Sequence, residues 1–190
     1  MDELTLQQTI QTFIEGLSSP TIPHWDALPD LELYMDQVIV FMEKYLALFG
    51  DGRDKLITPS MINNYVKLGI IPPPVKKKYN REHLAQLMAI CMLKQILPIP
   101  VLSSLTGRFA EQSGLPKTFD LFVDEQCTTL RHAAQTAHEA VEQLEPAHLQ
   151  EGLAQLSLKL AAQANACRIL ADKIALLLVE GQPAAPKEKK

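Results

Sequence analysis

ITPSMINNYVKLGIIPPPVKKKYNREHLAQLM, residues 57–88, sets two helix signals around a run of prolines and a run of lysines. Thr58 offers a hydroxyl to the exposed N–H groups of a helix start, and Pro59 suits the first helical position. The spacing predicts a helix over Pro59–Leu68 with Gly69 as its C-terminal stop. IIPPPVKKKY cannot be helical through its prolines, and its length suits an extended hairpin or wing. Asn80 then caps a longer helix. Leu84, Leu87, Met88, Cys91, Met92, Gln95 and Ile96 give that helix one mainly apolar face, and Pro98 and Pro100 close it.

Helix, tight turn, basic extension and supporting helix in this order form a nucleic-acid reader: one helix enters the major groove and the extension grips flanking phosphates. On the first helix Ser60, Asn63, Asn64 and Lys67 are polar, whereas Ile62 and Val66 are apolar, so one side packs inward while the other faces DNA. Asparagine pairs with an adenine edge through two hydrogen bonds. A stiff Pro72–Pro74 stem lowers the ordering cost of presenting Lys76, Lys77 and Lys78, whose compact ammonium groups meet phosphate without a demanding geometry. Tyr79 and Arg81 complete the candidate DNA-binding set. Taken singly, a lysine run is a solvated loop and two asparagines are the polar side of a surface helix. It is their order between two capped helices that favours the reader.

The remaining chain fits that reading. Its 190 residues are 47% hydrophobic, enough for one substantial core. The net charge of −4 hides a segregation: residues 1–50 hold eight acids and one lysine, residues 51–81 hold seven bases and two acids, and residues 82–190 hold ten bases and twelve acids. The basic excess therefore sits in the stretch quoted above. No apolar run reaches the roughly 18–20 residues of a membrane span, and the acidic, polar start MDELTLQQ is unlike a secretory signal, so the expected location is cytoplasmic. Cys91, Cys127 and Cys167 lie 36 and 40 residues apart, without the close pairing of a zinc site or redox motif. No phosphate-cradling glycine loop and no nucleophile beside a base is found, so neither a cofactor nor an enzyme is expected.

Along the chain, Leu4, Leu6, Ile10, Phe13, Ile14 and Leu17 predict an opening helix, followed by the proline-broken loop SSPTIPHWDALPD. A second helix is expected from Leu33 to Phe49 and a short one over Val101–Gln112. Two heptad patterns follow: Val123, Cys127, Leu130, Ala134, Ala137, Val141 and Leu144, then Leu149, Leu153, Leu156, Leu160, Gln163, Cys167, Leu170, Ile174 and Leu177. The break at Pro146 is short enough to fold them into an antiparallel hairpin or bundle. The expected organisation is all-α: an N-terminal helix and loop (1–32), a DNA-reading domain (33–112), a helical hairpin whose heptads either close within the chain or pair two copies (113–180), and a disordered tail (181–190).

This stretch resembles the winged helix-turn-helix of the MerR (mercury-resistance regulator) family, through Thr58, Tyr65, Gly69, Ile70, Ile71, Pro72, Tyr79 and Leu84. More closely, NYVKLGIIPPPVKKKYNREHLAQLMAICMLKQ resembles a group of bacterial proteins catalogued as domain of unknown function 1836. The resemblance implies a MerR-like fold with a short wing for the domain 33–112, and DNA binding. The chain departs from the larger family in its longer GDGRDKLI connection, in Asn63 and Asn64 where an arginine and an aromatic are usual, and in lacking a paired-cysteine metal sensor. The expected function is a sequence-specific transcriptional regulator that binds double-stranded DNA as a homodimer, with the effector unassigned. The alternative is an interaction adaptor whose winged module has lost DNA binding.

Overall fold

The computed structural model describes residues 3–50 and 55–180. The tail expected to be disordered, 181–190, lies outside the described residues. The chain is mostly helical, with seven α-helices among the described residues: α1 (Glu3–Ser18), α2 (Met35–Leu46), α3 (Pro59–Lys67), α4 (Arg81–Leu93), α5 (Ile99–Ser113), α6 (Leu115–Glu142) and α7 (Leu149–Glu180). One small sheet among the described residues pairs β1 (Leu33–Tyr34) antiparallel with β2 (Lys78–Tyr79), in the register Leu33 to Tyr79 and Tyr34 to Lys78. The helix expected from Leu33 thus begins two residues later, because Leu33 and Tyr34 are spent on this pairing.

Helix α4 is the centre of the first core. Leu84, Leu87, Met88 and Cys91 are buried, but so are Ala85, Ala89 and Ile90, so α4 is apolar nearly all round rather than on one face. Val38, Met42 and Leu46 of α2, Ile62 and Tyr65 of α3, and Phe119, Val123 and Cys127 of α6 join the same cluster. The boundary expected at 112/113 therefore does not separate two cores, since the first half of α6 belongs to the core of α2–α4. The α6 heptad face continues into a second cluster in which Ala134, Ala137 and Val141 pack with Ile14 of α1. The main partner of that face is α1 rather than α7, as the hairpin expectation had it.

Helix α7 leaves α6 where Gly152 lets Leu144 approach so closely that an added Cβ would collide with it. Leu153 and Leu156 rest against the second cluster, and Ala175 is buried near the far end. Between these, residues 161–170 are all exposed, about 15 Å of helix at 1.5 Å per residue.

The three cysteines divide by burial: Cys91 and Cys127 are buried and Cys167 is exposed. Burial pushes the Cys91 thiol up to about 11, against the opposing pull of the Lys94 ammonium. A folded-state value above that of the unfolded chain means the neutral thiol stabilises the fold below about pH 9, and this contribution is lost as the pH rises towards 11. A thiol reagent at pH 8 should label Cys167 in the native protein and reach Cys91 and Cys127 only on unfolding. Rapid native labelling of two or three thiols would contradict this burial pattern.

Candidate nucleic-acid interface

The start of α3 is built as its sequence requires, with the Thr58 hydroxyl accepting from the Met61 N–H at 3.2 Å. Its end is a Schellman turn: the Ile70 N–H donates to the Tyr65 carbonyl at 2.9 Å and the Gly69 N–H to that of Val66 at 3.0 Å. Gly69 supplies the left-handed residue the motif needs, at φ +69°. Between these caps Ile62 and Tyr65 are buried, while Ser60, Asn63, Asn64 and Lys67 are all exposed. Their spacing of three and four residues sets them on one outward stripe.

The basic extension is a two-residue β-hairpin. Val75 and Lys78 exchange both backbone hydrogen bonds, at 3.1 and 2.9 Å, around Lys76 and Lys77. Both turn residues have positive φ, +50° and +65°, as a type I′ turn demands. Such turns favour Asn-Gly, and a side-chain-bearing residue in this region costs roughly 1–2 kcal/mol. The hairpin thus keeps two exposed cations at its tip against local preference. Pro72, Pro73 and Pro74 lead into Val75, and their missing N–H groups leave less edge for another chain to pair with. Lys77→Gly should therefore raise stability by about 0.5–1 kcal/mol while removing one cation. A denaturation midpoint that falls would show the turn to be unstrained.

The other three candidates sit at the base. Lys78 is half-buried, 3.9 Å from the Glu32 carboxylate, with its ammonium 5.6 Å from the centre of the Tyr34 ring. Tyr79 is 3% exposed and belongs to the core, its ring edge-on to His83. Pairing with Leu33 turns Tyr79 to the buried face, so direct contact with DNA is closed to it. Arg81 is also withdrawn: its guanidinium lies 5.8 Å from the Trp25 ring centre and donates to Asp30 at 3.2 Å. Asn80 caps α4 reciprocally, accepting from the His83 N–H at 3.2 Å and donating its own N–H to His83 Nδ1 at 3.1 Å. The structure thus brings Ser60, Asn63, Asn64 and Lys67 onto one surface stripe, sets Lys76 and Lys77 at an exposed tip, and turns Tyr79 and Arg81 to structural work.

Sequence reasoning missed the loop that meets this base. Trp25 donates its backbone N–H to Asp120 of α6 at 2.6 Å, and its ring packs edge-on to Phe119. His24 contacts Asp124 at 2.9 Å. The only signal was a lone tryptophan in a proline-rich loop, which marks packing but not its partner.

A family model described as Domain of unknown function (DUF1836) matches residues 23–122, more than half of the chain. The chain belongs to the DUF1836 family. The DUF1836 segment opens just before Trp25 and ends just after Phe119 and Asp120, so the Trp25–Asp120 bond ties its two ends together. It contains α2 to α5, the hairpin and the outward stripe of α3. Comparisons with curated proteins and with solved structures gave no match. Among the described residues no group of metal-ligating side chains is found, and no helix is long and apolar enough to cross a membrane.

Proposed function

We propose that this protein is a sequence-specific DNA-binding transcriptional regulator that acts as a dimer, with α2, α3, the hairpin and α4 serving as a MerR-like winged helix-turn-helix. The single exposed stripe of Ser60, Asn63, Asn64 and Lys67 carries this proposal, since a recognition helix needs one polar face out and one apolar face in. The asparagines read base edges, Lys67 supports them, and Lys76 and Lys77 meet phosphates beside the groove. One short helix and one hairpin make few contacts, so two copies on two half-sites supply the affinity together. The exposed apolar side chains of α7, among them Leu158, Ile169, Leu170, Ile174 and Leu177, are the surface for that pairing.

Electrophoretic shift of random-sequence DNA at two salt concentrations tests the proposal: binding that weakens steeply with salt is expected, and no shift at low salt would sink it. Asn63→Ala or Asn64→Ala should then cost roughly 1–3 kcal/mol on the preferred site and little on random DNA. Equal loss on both would assign the residue to the backbone. A second reading, an adaptor that docks a protein partner, draws on the engagement of Lys78 and Arg81 by Glu32 and Asp30, which neutralises part of the basic block.

A further inference from the structure

The loop from His24 to Tyr34 touches α6 at one end and the hairpin at the other. On the α6 side, the Trp25 N–H donates to an Asp120 side-chain oxygen at a short 2.6 Å in a part-buried setting. The Trp25–Phe119 ring contact and the His24–Asp124 contact reinforce the same joint. On the hairpin side, Arg81 stands over the Trp25 ring and reaches Asp30, Glu32 pairs with Lys78, and β1 zips onto β2. A strand pair of two residues is marginal by itself, so the basic hairpin, or spur, is held jointly by this strap and by the buried Ile71 and Tyr79 at its two ends.

We propose that Asp120, through Trp25 and Arg81, is a positioning residue for the basic spur: the strap fixes the direction of Lys76 and Lys77 by anchoring the hairpin base to α6. The proposal rests on the reading of the spur as a phosphate-gripping element, but its mechanical part does not depend on DNA. Asp120 is only half-buried and touches the loop rather than the interior, so replacing it leaves the core of α4 intact.

Amide hydrogen exchange on the full chain tests the mechanical part. Asp120→Ala should raise exchange of the Lys78 amide, which donates to Val75, about tenfold, with Met88 and Cys91 in α4 unchanged. Asp120→Asn keeps an acceptor for the Trp25 N–H and should restore most of the protection. Arg81→Met cuts the strap from the other side and should loosen Lys78 in the same way. Unchanged exchange at Lys78 in either Asp120→Ala or Arg81→Met, or a parallel rise throughout α4, would overturn the proposal. On DNA, Asp120→Ala should lower the salt slope towards that of a protein lacking Lys76 and Lys77, and add nothing to their removal. Additive losses would also overturn it. Wild-type protein that binds no DNA, with Lys78 exchange still governed by Asp120, would defeat the regulator reading and leave the strap standing.

Discussion

Replacing Lys76, Lys77 and Lys78 with alanine should weaken the proposed binding to every DNA sequence about equally and flatten its dependence on salt. A phosphate contact releases condensed counterions, so each one lost lowers the log–log slope by about 0.9 and, at 0.15 M salt, costs roughly fivefold in affinity. Lys76 and Lys77 are exposed at the hairpin tip and should each contribute one contact, giving about a 30-fold loss for the pair. Lys78 differs from them. It already faces Glu32 at 3.9 Å, so its removal forfeits less attraction to phosphate and leaves a carboxylate beside the groove. Filter binding of random and preferred DNA across a salt series separates these effects. A slope that stays the same in the triple variant would make the lysines a solvated tip and end the phosphate-gripping role.

If α7 pairs two copies of the chain as proposed, Leu170→Glu should convert that dimer to monomer and leave the fold of the chain intact. Leu170 is 64% exposed within one chain, so a carboxylate there stays hydrated in the monomer. In a paired α7 surface the same carboxylate is buried without a partner, at an effective penalty of several kcal/mol per ion, and a symmetric contact suffers it twice. Sedimentation should report a monomer with wild-type helix content, and affinity for a two-half-site operator should fall although the spur is untouched. Leu156→Glu gives the contrasting result. Leu156 packs against the cluster of Ile14, Ala134, Ala137 and Val141, so charge there lowers thermal stability within each chain. A fully folded Leu170→Glu dimer would remove α7 from the interface.

Much of the α3 region was legible beforehand because its signals are local. The Thr58 cap, the Gly69 stop and the Asn80 cap each involve residues within five positions of one another, and helical periodicity separates Ser60, Asn63, Asn64 and Lys67 from Ile62 and Val66, although Val66 is only half-buried and Tyr65 is the second buried residue of α3. The two-residue turn at Lys76–Lys77 was not legible, since lysine is a poor residue for positive φ and only the closing Val75–Lys78 bonds require it. Tyr79 and Arg81 were placed at the interface for want of a register: pairing with Leu33, 46 positions away, turns Tyr79 inward, and Asp30 with Trp25 draws Arg81 back.

The heptads show the same division at larger scale. Their spacing marks apolar faces on α6 and α7, because 3.5-residue periodicity follows from side-chain chemistry and helix geometry. Which surface covers each face is not encoded in the period. Helix α1 occupies the second half of α6, Phe119 and Val123 enter the core of α4, and residues 161–170 of α7 are left uncovered. Sequence alone thus determined the helices, their caps, the outward stripe and the basic block, all products of interactions between near neighbours. Tertiary structure alone decided the strap, the withdrawal of Tyr79 and Arg81 and the partner of each heptad face, because those depend on contacts such as Trp25 with Asp120, formed across 95 positions of chain whose meeting no local preference specifies.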